Sequence, residues 1–571
     1  MRQMTKTMKR ECANWHGQPT CGISWQRHPA DDSWAGKGPP TRNFALGTPS
    51  PCHVEPDTHI PSRCRPAGRT FCIVLAIFFA FCSNLWGAAE RPSRPEIGAE
   101  KKFVLDWLSQ PAVVKKFGEI SEAIWRYAEL GLQEFKSSAL LVKTLENEGF
   151  HVDTGLAGMP TCFVASYGTG QPVIGILAEF DALPTLSQKP EVPRKEPLVE
   201  GAPGHGCGHN LMGSAATAAA IAVKRCMEKY NLHGTIKLFG SPAEETLISR
   251  PYMVQAGLFD GVDAVINNHA SSRFSTAYGV TGTAVSSLIF TFTGKTAHSG
   301  SSPWAGRSAL DAVEIMNVAT NYLREHLHLT YRMHYVILEG GEAPNVVPER
   351  ASVWYYLRNT DERLEDMYQR VVNCAKGAAL ATGTELTQVR CLSAIHQCHH
   401  NRTLAELCQE NIELVGMPQW TQAEQAFAKA LQKTLGKEEK GMPADVNKLK
   451  DPEPVLTTGG ASDHGDVTLI VPTATIRFPG EVPGVIGHHW STVSCNSGSA
   501  AWKGLNAGAK AMAASAVDLL TRPEVLQKAK EEFAAYSKKH PYKSFLPPDA
   551  QPPLEMNKTL MEKYRPLLER M

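Results

Sequence analysis

Between Thr161 and His269 the chain alternates between two textures. The runs "TCFVASYG", "VIGILAEF", "TIKLFGSP" and "DAVINNH" are short and β-rich, with helical segments interspersed. Neighbouring parallel strands need a crossover connection, usually a helix, so this alternation predicts an α/β architecture: a mostly parallel sheet flanked by helices. In such sheets, ligand sites collect beyond the carboxyl ends of the strands. The polar residues stand in that place. Glu179 and Asp181 end one run, Glu244 and Glu245 follow another, and His269 ends a third.

Around Thr281 the texture changes. "AVSSLIFTFTGKTAHS", a helix near Ser308 to His326, "MHYVILEGG", "RASVWYYLRN" and a helix from Glu362 to Leu380 suggest an inserted ββαβ-type unit of smaller α+β character. The first pattern then resumes with "LAELCQENIELVG", "AEQAFAKALQKTL", a strand "TATIRF" and a long helix "AWKGLNAGAKAMAASAVDLLT". The simplest organisation is one domain, residues 99–280 and 394–523, interrupted by another over 281–393 and followed by a C-terminal tail, 524–571. The charged, Pro-bearing stretch "GKEEKGMPADVNKLKDPEPVL" reads as a surface loop.

The first ninety residues lack both periodicities. Residues 1–70 read as a disordered or over-extended leader. "FCIVLAIFFAFC" then runs unbroken from Phe71 to Cys82 behind Arg63, Arg65 and Arg69, and small residues at Gly87 to Ala89 follow. Twelve apolar residues are too few for a stable membrane span but match a signal-peptide core, so 71–89 is read as that core and its cleavage site. The expectation is export to a periplasm or the exterior, and a cytoplasmic location if this segment is not a working signal. Lys plus Arg (58) nearly cancels Asp plus Glu (57), so no global field favours nucleic acid; a small-molecule partner is expected. Six of the fourteen cysteines lie before Cys162. Cys391, Cys398 and Cys408 could pair in an oxidising compartment.

The chemistry-bearing stretches are five. "GHGCGHN", residues 204–210, sits before the apolar run "LMGSAATAAAIAV". It could be a strand-to-helix turn with Asn210 as N-cap, or a metal site in which glycines let His205, Cys207 and His209 converge. "AEFDALP" places Glu179 and Asp181 on one face, or on a solvated turn. "SPAEET" sets Glu244 beside Glu245, where repulsion is best tolerated with a cation between them; the alternative is an exposed helix start. "INNHA" offers His269, and "GHHW" offers His488 and His489.

Taken in order, "AEFDALPTLSQ", "GHGCGHNLMGSAA", "PAEE", "GASDHGDVT" and "GHHWST" resemble the dinuclear-metal aminoacylase/carboxypeptidase superfamily. They are most similar to its amidohydrolase branch, which contains auxin-conjugate and aminobenzoyl-glutamate hydrolases. The resemblance covers roughly Ala99 to Pro523. It implies that Cys207, His209, Glu245, His269 and His488 hold two divalent ions (Mn or Zn) and that Glu244 is the general base. It further implies that Asp181, and His205 in the same way, steady a ligand imidazole. The inserted unit becomes a lid or dimerisation domain whose His298 steadies the oxyanion in a neighbouring subunit, and Asn345 touches substrate. The implied partners are a small-molecule amide and a second subunit, in a homodimer or a heteromer with a homologous chain.

Departures are Glu179, where the wider branch has Asp, and His464, where close relatives carry a smaller apolar residue. His489 leaves the last ligand ambiguous by one position. The implied substrate is p-aminobenzoyl-glutamate, with an N-acyl amino acid or dipeptide as alternatives and a non-catalytic metal-binding scaffold as the reading from another class. Arg307 and Arg358 are candidates for a substrate carboxylate.

Overall fold

The computed structural model describes residues 97–452 and 459–570. The leader and the signal-peptide core expected over 1–89 lie outside these residues. In chain order, helices α1 (Ala99–Leu108), α2 (Pro111–Tyr127) and α3 (Phe135–Asn147) lead into strands β1 (His151–Thr154), β2 (Phe163–Thr169) and β3 (Val173–Glu179). Helix α4 (His209–Tyr230), β4 (Gly234–Ser241), α5 (Ser249–Gln255) and β5 (Ala264–Ser271) follow. The sheet order is β1-β2-β4-β3-β5-β12, completed by the late strand β12 (Thr473–Pro479). Strands β4, β3, β5 and β12 are mutually parallel, and β2 and β1 close one side antiparallel. The mostly parallel sheet read from the alternation is therefore present, with all four parallel strands ending at the same edge.

Helix α4 is apolar and Ala-rich around its circumference, the pattern of a helix covered on every side. All but a few of its residues are buried. It lies in one hydrophobic cluster with α12 (Ser499–Thr521), and Ile174, Ile176 and Ile476 of the sheet belong to the same cluster.

The chain leaves this sheet through β6 (Gly279–Thr281) and builds a second one. Strand β7 (Ala284–Thr293), helix α6 (Ala309–Leu323), β8 (Arg332–Glu339), β9 (Arg350–Asn359), α7 (Asp361–Thr382) and β10 (Glu385–Ile395) give an antiparallel sheet of order β10-β7-β9-β8. This is the split βαββαβ arrangement rather than the shorter ββαβ unit expected. Strand β10 escaped notice because its first half is largely exposed and breaks the alternation, with register shifts at Leu386/Gln388 and Cys391/Ser393. The unit has its own core, including Phe290, Phe292, Tyr355 and Met367. Strand β11 (Cys398–His400) pairs with β6 and returns the chain to the first sheet, followed by α8 (Arg402–Val415), α9 (Gln422–Thr434), the short α10 (Gly465–Thr468) and α11 (Trp490–Cys495).

The described part of the tail, 524–570, is folded onto the body. Helix α13 (Pro523–Ser537) buries Leu526 and Ala529, and α14 (Lys558–Leu568) buries Met561. Tyr542 donates to Asp466 Oδ1 at 2.8 Å and Arg565 Nη2 donates to the Gln133 carbonyl at 2.7 Å, so the segment straps distant parts of the main domain together. No helix among the described residues is long and apolar enough to cross a membrane.

Candidate active site

The common edge of the parallel strands assembles the site. Glu179 is the last residue of β3, Glu244 and Glu245 form a single 3-10 turn after β4, His269 lies near the end of β5, and His488 follows β12. That turn is flanked by Ala243 and Leu247, both in the left-handed region at φ 55° and 61°. Such strain persists only where surroundings enforce it. Here the Ala243 N–H donates to the buried Glu134 carboxylate at 2.8 Å.

The Gly-rich loop needs its glycines for close approach. Gly208 has φ +82°, and a Cβ there would lie 2.6 Å from the Ala270 side chain; one at Gly206 would lie 2.6 Å from Leu186. The loop thus presses against the end of β5, and the His488 N–H donates to the Gly206 carbonyl at 3.1 Å. Asn210 is not the N-cap, which is Gly208. Its amide instead donates to Ser121 Oγ (3.0 Å) and the Asn496 carbonyl (2.8 Å), clamping the loop to the segment after α11.

Cys207 Sγ stands 3.5 Å from His269 Nε2. The donor atoms of Cys207, His209 and His269 lie within 4.8 Å of one another, as do those of Cys207, Glu245 and His488, and those of Glu179, His209 and Glu244. Cys207 is common to the first two groups. Glu245 Oε2 is 3.3 Å from His488 Nε2, while His489 turns away so that its Nδ1 meets Ser491 at the start of α11; the structure thereby separates the two neighbours. Asp181 Oδ1 is 2.8 Å from His209 Nδ1, and its other oxygen accepts from the Glu245 N–H at 2.9 Å. One carboxylate thus orients an imidazole and the Glu-Glu turn together. His205 has a different role from the one expected. Its Nε2 lies 3.0 Å from the Ile124 carbonyl, which anchors the loop to α2.

Burial dominates the electrostatics. It raises Glu244 well above the ordinary carboxylate range, assisted by the nearby Glu179, and raises Glu245 to about 8 against the pull of His209. Burial would raise Asp181 too, but the His209 contact holds it below its ordinary value; burial would lower His209, but Glu245 and Asp181 hold it well above. His269 is pushed down to about 3 by burial and Arg477. Glu179 Oε2, His209 Nε2 and Glu245 Oε1 are buried without a hydrogen-bond partner among the described residues. Orphaned lone pairs on crowded carboxylates and imidazoles beside a thiol form a donor set that divalent cations satisfy. The residues fit such ions.

Arg250 was missed by sequence reading. Fully buried, it places Nη2 2.7 Å from Glu179 Oε1 and Nη1 2.5 Å from Asp463 Oδ1. Removing one partner of such a buried ion pair typically costs about 3–5 kcal/mol. Glu179 spans the gap between this guanidinium and His209, 3.3 Å from its Nε2. The only sequence signal was an arginine within the apolar run "LISRPYMV".

The inserted unit turns one face of β9 toward the carboxylates: Tyr356 and Arg358, two residues apart, both feel the charge of Glu244. Arg307 instead donates to the carbonyls of Gly306 (2.6 Å) and Trp304 (3.3 Å), within its own turn. His298 is exposed and its Nδ1 accepts from the N–H groups of Gly300 (3.1 Å) and Ser301 (3.2 Å). Asn345, also exposed, meets the same turn through its carbonyl, which accepts from the Ser299 N–H at 3.0 Å. No hydrogen bond or ion pair among the described residues joins either to the Cys207 cluster. All eight described cysteines, Cys391, Cys398 and Cys408 included, are free thiols.

Comparison with known proteins gives four findings. A profile of peptidase family M20/M25/M40 matches residues 175–528. The chain is 36% identical over 463 residues to the B-type subunit of p-aminobenzoyl-glutamate hydrolase from Escherichia coli, covering 77% of this chain and 96% of that one. It is 27% identical to the Xaa-Arg dipeptidase of Mus musculus, over 78% and 96% of the two chains. Among solved structures, an aminohydrolase candidate from methicillin resistant Staphylococcus aureus shares the fold with a TM-score of 0.52 at 18% identity, over 74% of this chain and 100% of that one.

Proposed function

The chain belongs to peptidase family M20/M25/M40, and from that premise we propose that it is a metal-dependent amidohydrolase that splits p-aminobenzoyl-glutamate into p-aminobenzoate and glutamate. One observation carries the reading: two donor groups share Cys207, and Glu244 stands beside them without belonging to either. Cys207, His209 and His269 would hold one divalent ion, and Cys207, Glu245 and His488 the other. Thiolate and imidazole suit zinc, and the carboxylates suit manganese. When bound, such ions acidify water and polarise an amide carbonyl.

The chain's own residues do the rest. Glu244, 3.7 Å from His209 Nε2, takes a proton from the attacking water and returns it to the leaving nitrogen. Its raised affinity for a proton suits both halves of that transfer. Asp181 fixes the His209 ring through Nδ1, which leaves Nε2 as the nitrogen that would meet an ion. Arg358 pairs with the glutamate carboxylate of the substrate, and Tyr356 lines the same wall.

His298 and Asn345 complete the site of a neighbouring subunit, in a homodimer or in a heteromer with a homologous chain; the Escherichia coli relative is named as one subunit of its enzyme, which supports the latter. The contact surface is the free edge of β8 and the outer face of α6, which expose Val336, Ile337, Leu338, Ile315, Val318 and Tyr322. Export follows from the segment 71–89, and sequencing of the native N-terminus should find Glu90 or a near neighbour first; Met1 at that position rejects export.

The reading is tested by loading the protein with Mn²⁺ or Zn²⁺ and assaying p-aminobenzoyl-glutamate, N-acyl amino acids and dipeptides. Release of p-aminobenzoate as the fastest reaction is expected. Faster cleavage of a dipeptide replaces the substrate, and a metal-loaded but inert protein replaces the enzyme with a scaffold.

A further inference from the structure

Cysteine and histidine converge a second time, in a donor group that shares no residue with the Cys207 cluster. Cys398 and His400 stand two apart on β11, so they share one face of that strand, and His464 approaches from the residue that caps α10. Their donor atoms all lie within 4.8 Å of one another, and the three residues are only 5%, 8% and 6% exposed. We infer that Cys398, His400 and His464 form a separate metal site that takes one thiophilic first-row transition ion of the zinc type.

The two rings have the spacing of a ligand pair, and Cys398 Sγ lies 4.0 Å from the His464 ring at Nδ1. The two Nε2 atoms are 3.2 Å apart. A tetrahedral ion with bonds of about 2.0–2.1 Å sets its nitrogens about 3.3 Å apart. The opposite ring nitrogens are each met by a hydroxyl: His400 Nδ1 lies 3.2 Å from Thr281 Oγ1, and His464 Nδ1 lies 2.6 Å from Ser462 Oγ. With both Nδ1–H groups donating to these oxygens, both Nε2 lone pairs point inward, the tautomer that outer hydrogen bonds impose on metal-bound imidazoles. Thr475 Oγ1, 2.8 Å and 3.5 Å from the two Nε2 atoms, stands where a fourth oxygen donor or a held water belongs. Burial keeps both rings neutral, with His400 held down to about 3, and it also pushes the Cys398 thiol well up against the pull of Arg477, so an ion must displace that proton as it binds. Binding releases the Cys398 proton to solvent.

No carboxylate belongs to the group, and every donor is covered, so the site is closed and structural rather than catalytic. It ties β11 and β12 to the segment 459–468. Asp463, next to His464, accepts from Ser249 Oγ, the Arg250 N–H and the Arg250 guanidinium, and that guanidinium holds Glu179. The ion therefore fixes the far end of the ion-pair chain that supports the catalytic cluster.

Cobalt(II) reads the site independently of hydrolysis. In full-length Cys207→Ser protein, which lacks the thiol of the catalytic cluster, added Co²⁺ should still give a thiolate-to-cobalt absorption band in the near ultraviolet. The band should disappear when Cys398→Ser or His464→Leu is added. Folding is followed by circular dichroism, and His464→Leu decides the matter should Cys398→Ser fail to fold. A folded Cys207→Ser protein without the band overturns the site, and so does a band that survives both additions. In either case the two rings are simply hydrogen-bonded to each other. The hydrolase reading stands or falls separately, on turnover.

Discussion

The Cys207 and Cys398 clusters are built from the same thiol and imidazole groups yet differ in two respects. Around Cys207, Glu179, Asp181, Glu244 and Glu245 share the space, and the His488 side chain is 58% exposed. Around Cys398 the hydroxyls of Thr281, Ser462 and Thr475 occupy the positions that carboxylates take in the first cluster, and all three donors are buried. The contrast teaches what converts a metal-ligating cluster into a reaction site. Carboxylates supply a group able to move a proton, and exposure admits substrate; without both, the same donors can only hold the fold.

Chelation should separate the two most completely. Dialysis against a strong chelator is expected to abolish turnover as ions leave the cluster that His488 opens to solvent, while the ion at Cys398 departs in a later, slower phase. Elemental analysis along the time course, paired with activity, gives the comparison directly. Loss of all ions in one phase would erase the distinction between open and closed sites.

Glu244 is the next largest effect. Loss of a general base typically lowers turnover by roughly 10²–10⁴-fold. Glu244→Ala should show that fall in kcat with its metal content unchanged if the two groups that share Cys207 hold the ions; loss of an ion would instead make Glu244 a ligand, in the group it forms with Glu179 and His209. Turnover near the wild-type value would remove the proton-moving role from this residue.

These two predictions rest on different amounts of sequence information. The carboxyl-end placement of Glu179, Glu244 and His269 was legible because strand alternation dictates where strands stop, and side chains at strand ends share an edge. The pairing of Cys207 with His209 was legible from the glycines around them, whereas His205, read into the same convergence, turns to the Ile124 carbonyl instead. Arg250 was not legible, since a lone cation on a helix ordinarily reads as a solvated face and only the tertiary fold supplies its two buried carboxylates. The strapping role of the tail was hidden for a similar reason: "PEVLQKAKEEFAAYSKK" is mostly polar, and only Leu526 and Ala529 mark its buried side. His464 stood out as a departure, but its partners come from strands far apart in sequence. The oxyanion role expected of His298 lies beyond one chain altogether, because within this chain it caps its own turn.

Asp181 tests how far the catalytic cluster depends on support that the second cluster obtains from hydroxyls. It touches His209 at 2.8 Å and the Glu245 backbone at 2.9 Å. Outer partners of metal-binding histidines typically contribute 10–100-fold to metal affinity or activity. Asp181→Asn keeps the shape and removes the charge, so a loss in that range is expected in titrations of metal against activity. An unchanged affinity would mean that the His209 ring is held by packing alone.

The smallest effect concerns the substrate rather than the ions. Arg358 on β9 lies within electrostatic reach of Glu244 and donates to His334 Nε2 at 3.1 Å, so its guanidinium is placed but not paired to a carboxylate by any described ion pair. If it receives the substrate's carboxylate, Arg358→Ala forfeits one charge-assisted hydrogen bond, an effect of roughly tenfold or somewhat more. That loss should appear in KM with kcat nearly constant, because the carboxylate is bound alike in the ground and transition states. An amide analogue lacking the carboxylate supplies the control, since the substitution should leave its hydrolysis unchanged. Equal losses on both substrates would instead make Arg358 a partner of the Glu244 charge, and the proton-moving carboxylate would then depend on the inserted unit as well as on the strand ends.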